Sequence, residues 1–310
     1  MKKYLLLCVC AGFLASAEAK TKTDWKANWI NTEQCQSASN TWLAYRKTVT
    51  LAEVPRTLTA HIAADSKYWL WINGRMVVFE GGLKRGPSPY DSVEIAPYLT
   101  SGENTIAVLV WHFGKNGFSH VNSGLAALLF EAIAPGIEIV SDKSWSCRVY
   151  DAYQNTGAPY PNYRLSESNI RFDARRTLEG WNQPGYKNTF PGAEIAAVVG
   201  KAPLGNLVER PIPLFKDFGL KEYPGVCRSE RGDTLFCRLP YNCQFTPYLK
   251  VESAEGATIH MQTDNYRGGG PENIRAEYVT RNGIQEYESY GWMSGHETVS
   301  YTHLTLPTIR

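Results

Sequence analysis

The sequence predicts an all-β protein: two antiparallel β-sandwich modules of jelly-roll type, joined by a proline-rich but ordered wrap. Three observations predict it. Apolar residues alternate with period two through much of the chain, which is the side-chain repeat of a strand. Turn signals recur at short intervals, Asn73-Gly74 and Asn282-Gly283 among them. Nine Trp and eighteen Tyr raise strand propensity, and no capped helical stretch precedes Val149.

Residues 1–19 are expected to be removed before folding. Lys2 and Lys3 lead an apolar run, Tyr4 to Leu14, and Ala17-Glu18-Ala19 supplies small residues for cleavage. The run is too short for a membrane anchor, and no other hydrophobic span follows. An exported product, periplasmic or extracellular, is expected, with no membrane insertion. At 310 residues the chain is long enough for about two domains, and its net charge of +2 is mixed along its length. No basic stripe argues for a nucleic-acid partner.

The first sandwich is assigned to residues 20–149. Trp25 to Ile30 opens it, Leu43 to Leu51 follows, and Pro55 breaks the chain before the central hairpin. Leu58, Ala60, Ile62 and Ala64 alternate on one strand. On the next, Tyr68, Leu70 and Ile72 share a side, with Trp69 and Trp71 on the other. This pattern predicts a half-covered sheet. Asn73-Gly74 tolerates the positive φ of a two-residue turn, and Arg75 to Phe79 returns. Gly81 to Pro89 reads as irregular loop. Val93 to Leu99 is a short strand and turn. Thr105 to Trp111 is apolar on both faces and predicts a central, fully covered strand, with Leu125 to Ala132 of the same kind. His112 and His120 lie among glycines with no paired acid or nucleophile at an interpretable spacing, so surface or turn roles are expected. Ile137 to Val149 closes the module around a buried Trp145.

Residues 150–219 form the wrap, broken by seven prolines from Pro159 to Pro213 but carrying aromatics that need burial, Trp181 among them. The second sandwich, incomplete, is assigned to 220–298. Thr234 to Leu239, Pro247 to Val251 and Ala257 to Thr263 read as strands, and Ala276 to Thr280 is expected to pair with Gln285 to Ser289 across Arg281-Asn282-Gly283.

Two places suggest sugar chemistry. Trp69 and Trp71 offer flat faces for stacking. Asp264, Asn265, Tyr266 and Arg267 precede Gly268-Gly269-Gly270, so an acid, an amide, a phenol and a guanidinium stand where backbone can approach a ligand. The competing readings are packing for the indoles, and an Asp264–Arg267 pair with a glycine bulge for the loop. No Lys-Ser/Thr follows the glycines, which excludes a phosphate loop. There is no Cys-x-x-Cys pair and no His-Glu-x-x-His spacing, so neither a metal nor another cofactor is expected. Cleavage near Ala19 would leave five cysteines, Cys35, Cys147, Cys227, Cys237 and Cys243. A bridge between Cys227 and Cys237 across a hairpin stays open.

Several stretches together resemble one family. TAHIAADSKYWLWINGR, GGLKRGPSPYD, NTIAVLVWHFGKNGFSH, NYRLSESNIRFDAR, LVERPIPLFKDFGL and the run from DNYRGGG to SGHE are similar to exported Bacteroidetes-type α-L-rhamnosidases of the six-hairpin glycosidase group. The resemblance spans nearly all of Trp25 to Glu297. It implies β-sandwich modules preceding an (α/α)6 catalytic barrel that inverts the anomeric centre. The barrel's acidic motif has no counterpart here, so no catalytic residue is carried over, and the missing barrel becomes an expected partner alongside a glycan substrate. The last twelve residues, Val299 to Arg310, resemble a translated sequencing adapter. On that reading 299–310 is an artefact without a specific partner, and the natural chain continues past Thr298. The reading from resemblance is the non-catalytic N-terminal portion of an exported α-L-rhamnosidase-like hydrolase. A stand-alone carbohydrate-binding or cell-surface interaction module is the alternative.

Overall fold

The computed structural model describes residues 22, 24–33, 38–83, 88–117, 120–156, 169–187, 189–264 and 275–302. Residues 1–19, where a signal segment is expected, and Cys35 lie outside the described residues. The first module is built from β1 (Trp29–Asn31), β2 (Thr41–Leu51), β3 (Thr59–Asp65), β4 (Lys67–Ile72), β5 (Arg75–Gly82), β6 (Ser88–Glu94), β7 (Gly102–His112), β8 (Ala127–Ala134), β9 (Ile137–Val140) and β10 (Ser146–Val149). The front sheet has the order β10-β2-β7-β4-β5. The back sheet runs β1-β8-β3-β6, with β9 also on β8.

The central hairpin forms as the sequence predicts. Asn73 and Gly74 take φ of 52° and 76°, and β4 pairs with β5. Asn73 also locks the turn to its neighbour, because its amide reaches Asn104 Oδ1 at 2.8 Å while its own Oδ1 accepts from Thr105 N at 2.9 Å. β7 lies between β2 and β4, buried throughout from Asn104 onward. Between the sheets sit Leu43, Tyr45, Tyr68, Leu70, Ile72, Val108, Leu128 and Phe130. Trp145 belongs to that core.

The front sheet is not half covered. Every residue of β4 is buried. Its outer face carries Trp42, Trp69, Trp71, Leu109 and Trp111, which form one cluster with residues of the C-terminal half. Alternation revealed the two faces; the covering partner lies too far along the chain for alternation to reveal it. The Gly81–Pro89 stretch also departs from expectation at its ends. Gly81 and Gly82 end β5, and Ser88 and Pro89 begin β6, while 84–87 lie outside the described residues. Gly81 is in a strand because a Cβ there would stand 2.3 Å from the Tyr68 ring.

The next strands are β11 (Tyr153–Gln154), β12 (Asn169–Asp173), β13 (Glu194–Ala197) and β14 (Leu207–Glu209). β13 extends the back sheet beyond β1, and β14 pairs in parallel with β6 at its other end. Arg210, just past β14, donates through Nε to Asp91 Oδ1. Asp91 Oδ2 also accepts from Tyr68 Oη at 2.7 Å and Gly82 N at 3.2 Å. Arg46 similarly holds the carbonyls of Trp181 and Gln183.

The second module adds β15 (Gly225–Arg228), β16 (Thr234–Phe245), β17 (Tyr248–Ser253), β18 (Thr258–Thr263), β19 (Arg275–Val279), β20 (Gly283–Glu288) and β21 (Met293–Thr302). Its larger sheet runs β11-β12-β19-β18-β21-β16-β15, and β17 pairs with β20 in a second, smaller sheet. The expected hairpin between Ala276–Thr280 and Gln285–Ser289 is therefore a corner between sheets. β19 pairs with β12 and β18, whereas β20 crosses over to β17. Gln285 builds the corner: its Oε1 accepts from Arg281 N at 2.8 Å, and its Nε2 donates to Arg281 O at 2.7 Å. Tyr278 and Tyr287 then stack across the sheets, centroids 4.7 Å apart.

Two further expectations change. Val299–Thr302 do have specific partners, with Val299 opposite Phe236 on β16 and Gln262 on β18. Backbone atoms make these pairs, so almost any non-proline segment can complete the strand. Residues 303–310 lie outside the described residues. Cys227 lies opposite Phe236, and Cys237 opposite Val226, so the two sulfurs leave the ladder on opposite faces. Cys147, Cys227, Cys237 and Cys243 are all free thiols.

His112 and His120 are buried rather than at the surface, 0% and 1% exposed. They close on Asp65 at the end of β3. His112 Nδ1 is 3.2 Å and His120 Nε2 3.5 Å from Asp65 Oδ1. Ser66 Oγ donates to the same oxygen at 3.0 Å and lies 3.1 Å from His120 Nε2. The glycines around these histidines suggest exposure; the buried carboxylate instead draws the rings inward. Burial pushes the Asp65 carboxyl up, but hydrogen bonds from His112 and Ser123 and the His120 charge outweigh it and hold the carboxyl below its ordinary range. A folded pKa below the unfolded value, about 3.9, stabilises fully above that value and is lost as pH falls through the folded pKa. Asp65→Asn is expected to cost about 2–3 kcal/mol near neutral pH. Urea denaturation should show the gap from wild type narrowing below about pH 4, and an unchanging gap would refute the assignment.

Candidate functional site

Where the outer indole face of the front sheet meets the second module, a cleft of about 480 Å³ remains, within the usual range of small-ligand pockets. Each wall has a separate origin. β4 and β7 give Trp71 and Leu109, adjacent to a ladder set by strand register. Trp42 lies directly opposite Trp111, and their rings stack 4.5 Å apart. Trp42 also stacks on Tyr153 at 3.9 Å, and Trp69 on Tyr290 at 4.7 Å. A second wall comes from Tyr150, Phe172 and Trp181. A third comes from the corner and β20, with Arg281, Glu286, Tyr287 and Glu288.

The rim is charged. Arg281 pairs with Glu179, both substantially exposed, and Lys250 Nζ lies 2.6 Å from Glu286 Oε1. Lys250 and Tyr248 hold the Glu286 carboxyl below its ordinary range. Inside, the balance reverses. Burial pushes the Glu288 carboxyl up, only partly opposed by the Thr246 hydroxyl, which donates at 2.6 Å. Burial likewise raises the phenols of Tyr153, Tyr287 and Tyr290, and the charges of neighbouring phenols and Glu288 add to it. Ser289 is near enough to ease the rise at Tyr287, yet the Tyr287 hydroxyl completes no hydrogen bond in good geometry among the described residues.

Such a site can hold a ligand with one apolar face and several hydroxyl groups. Glu179 and Glu286 are each paired with a cation, and Glu288 accepts from the Thr246 hydroxyl. The His112 and Asp65 side chains are buried, 0% and 1% exposed.

Of the six sequence-predicted residues, Trp69, Trp71 and Asp264 are described, and Trp69 and Trp71 share one face against Tyr290. Trp71 lines the cleft at 7% exposure. Trp69 is fully buried between Trp42 and Tyr290. Asp264 is outside the cleft lining, and its Oδ1 accepts from His296 N at 2.8 Å and Glu297 N at 3.0 Å. Burial raises that carboxyl and the two amides more than offset it, so it is held low. Asn265, Tyr266 and Arg267 lie outside the described residues. Sequence reasoning missed Tyr150, Phe172, Trp181 and Tyr290. The one local signal was the density of Tyr and Glu in YVTRNGIQEYESY, read there only as strands.

Floor and rim should respond differently to mutation. Phe172→Ala, at a residue 7% exposed, is expected to cost about 3–5 kcal/mol. Arg281→Ala, at the exposed rim pair, should cost no more than about 1 kcal/mol. Chemical denaturation of both variants checks the order; equal costs would contradict the description of the cleft.

No family model and no curated protein sequence matches the chain. Solved structures do. An α-L-rhamnosidase from Dictyoglumus thermophilum superposes with TM-score 0.69 at 18% identity, over 92% of this chain and 35% of that one. The α-L-rhamnosidase from Aspergillus terreus gives 0.70 at 17%, over 91% and 34%. The GH78 family rhamnosidase of Bacillus sp. GL1 gives 0.57 at 23%, over 93% and 34%. The chain thus spans about a third of the length of the structures it matches. Its paired sandwiches have the fold that these α-L-rhamnosidases carry over that third.

Proposed function

We propose that this chain is the N-terminal, non-catalytic portion of an exported α-L-rhamnosidase-like glycoside hydrolase acting on rhamnose-containing glycans. One observation carries the reading: three α-L-rhamnosidases match nine-tenths of this chain with about a third of their own length. Reactive carboxyl groups would then belong to a separate (α/α)6 barrel that inverts the anomeric centre, and the sandwiches would be its support. Export rests on the Lys2–Ala19 signal. No helix among the described residues is long and apolar enough to cross a membrane.

Of the proposed sugar contacts, Trp71 is the one supported by its place in the cleft wall. Trp69 would act through packing, and Asp264 by accepting from the His296 and Glu297 amides of β21. The cleft itself favours the second reading, a carbohydrate-binding module that functions without hydrolysis.

A nitrophenyl α-L-rhamnoside assay separates the two. The product of the gene extended past Thr298 is expected to release nitrophenol, and the present chain alone to release none. Cleavage by the chain alone, or an inert extended protein, would overturn the hydrolase reading.

A further inference from the structure

We infer that the cleft between the modules is a binding site for a neutral saccharide and discriminates against uronates. This rests on the second reading, a carbohydrate-binding module, deepens it by naming the ligand class, and requires no barrel.

The argument starts from two neighbouring buried hydroxyls, those of Tyr287 and Ser289. Tyr287 is 7% exposed and Ser289 0%, and neither hydroxyl completes a hydrogen bond in good geometry among the described residues. A buried polar group left so costs roughly 1–3 kcal/mol unless water or a ligand meets it. The phenols of Tyr153 and Tyr290 and the Glu288 carboxyl lie close enough to act on it or on one another electrostatically. The lining therefore mixes carboxyl, phenol, amide and guanidinium groups with its aromatic rings, which disfavours a purely apolar ligand. Trp71 and Trp181 stand beside those groups, rings 5.7 Å apart and at 72°. Flat apolar faces next to clustered hydroxyl partners suit a sugar ring, which has a C–H face and a hydroxyl edge.

Charge narrows the class. Among the lining residues Glu179, Glu286 and Glu288 stand against one cation, Arg281. That guanidinium is taken by Glu179, and the nearby Lys250 by Glu286. A ligand carboxylate would find no uncommitted cation and would face Glu288 in a poorly solvated space. A neutral glycoside meets no such penalty.

The test uses a matched pair, methyl α-D-galactoside and the corresponding galactosiduronate, which differ only at C6. Each is titrated into the full chain while tryptophan fluorescence and heat are followed. The neutral glycoside is expected to bind saturably, and the uronate at least tenfold more weakly. Tyr287→Phe keeps the ring and should weaken the neutral glycoside about fivefold, the ratio for one lost hydrogen bond. Glu288→Gln should narrow the gap between the two ligands. A thermal midpoint no lower than that of the wild type in both variants would exclude unfolding as the cause. No saturable signal at roughly ten-millimolar glycoside, equal binding of the uronate, or an unaffected Tyr287→Phe would each overturn the inference. A chain that binds the glycoside while the extended protein leaves nitrophenyl rhamnoside intact removes the hydrolase reading alone.

Discussion

One five-stranded sheet bears the hydrophobic load of both halves of this protein. Alternate residues of β2, β4 and β7 belong to different cores. Leu43, Leu70 and Val108 enter the space between the first module's sheets. Trp42, Trp69 and Leu109 enter the aromatic layer shared with the second module. A one-residue slip in any of these strands would exchange the two sets, placing indoles where leucines fit and the reverse. Register is thus fixed from both sides, and the Asn73-Gly74 turn, tied to Asn104 and Thr105, sets where β4 ends and β5 begins.

The buried charges follow the same boundary. Lys67 and Glu80 lie 2.9 Å apart with side chains almost wholly enclosed, and Lys67 sits 5.5 Å from the Trp292 ring centroid in the second module. Asp91 accepts from Tyr68 and Arg210, and Arg46 holds two carbonyls of the Trp181 segment. Such groups add little net stability compared with apolar replacements, yet each is costly to leave alone. What they contribute is direction. Aromatic layers slide with little penalty, whereas a guanidinium facing two fixed carbonyls accepts one arrangement.

The first module was largely legible in the residues. Period-two alternation assigned the faces of β3 and β4, and a run apolar on both sides placed β7 at the centre of its sheet. Covering partners were not legible, because alternation tells which side chains share a face and says nothing about what approaches it. The same limit hid the β19–β20 corner. An Asn-Gly pair reads as a hairpin, but here Gln285 binds the turn's backbone and sends the strand to another sheet. His112 and His120 misled for another reason: their glycine-rich surroundings signal a loop, and the carboxylate that buries them is Asp65, 47 residues before His112. The cleft was hardest to see. Its walls come from residues between Trp71 and Tyr290 that meet only after both modules have formed.

The route of the chain between β10 and β15 carries a last consequence. β11 and β12 are laid into the second module's larger sheet, after which β13 and β14 return to opposite ends of the first module's back sheet. A backbone cut just before β11 would strip the back sheet of two strands, and a cut just after β14 would strip the other sheet of two. Neither position yields two fragments with intact ladders. The pair therefore cannot be shuffled as separable cassettes by a single breakpoint at either place; recombination there must carry both sandwiches together or leave raw strand edges exposed to self-association.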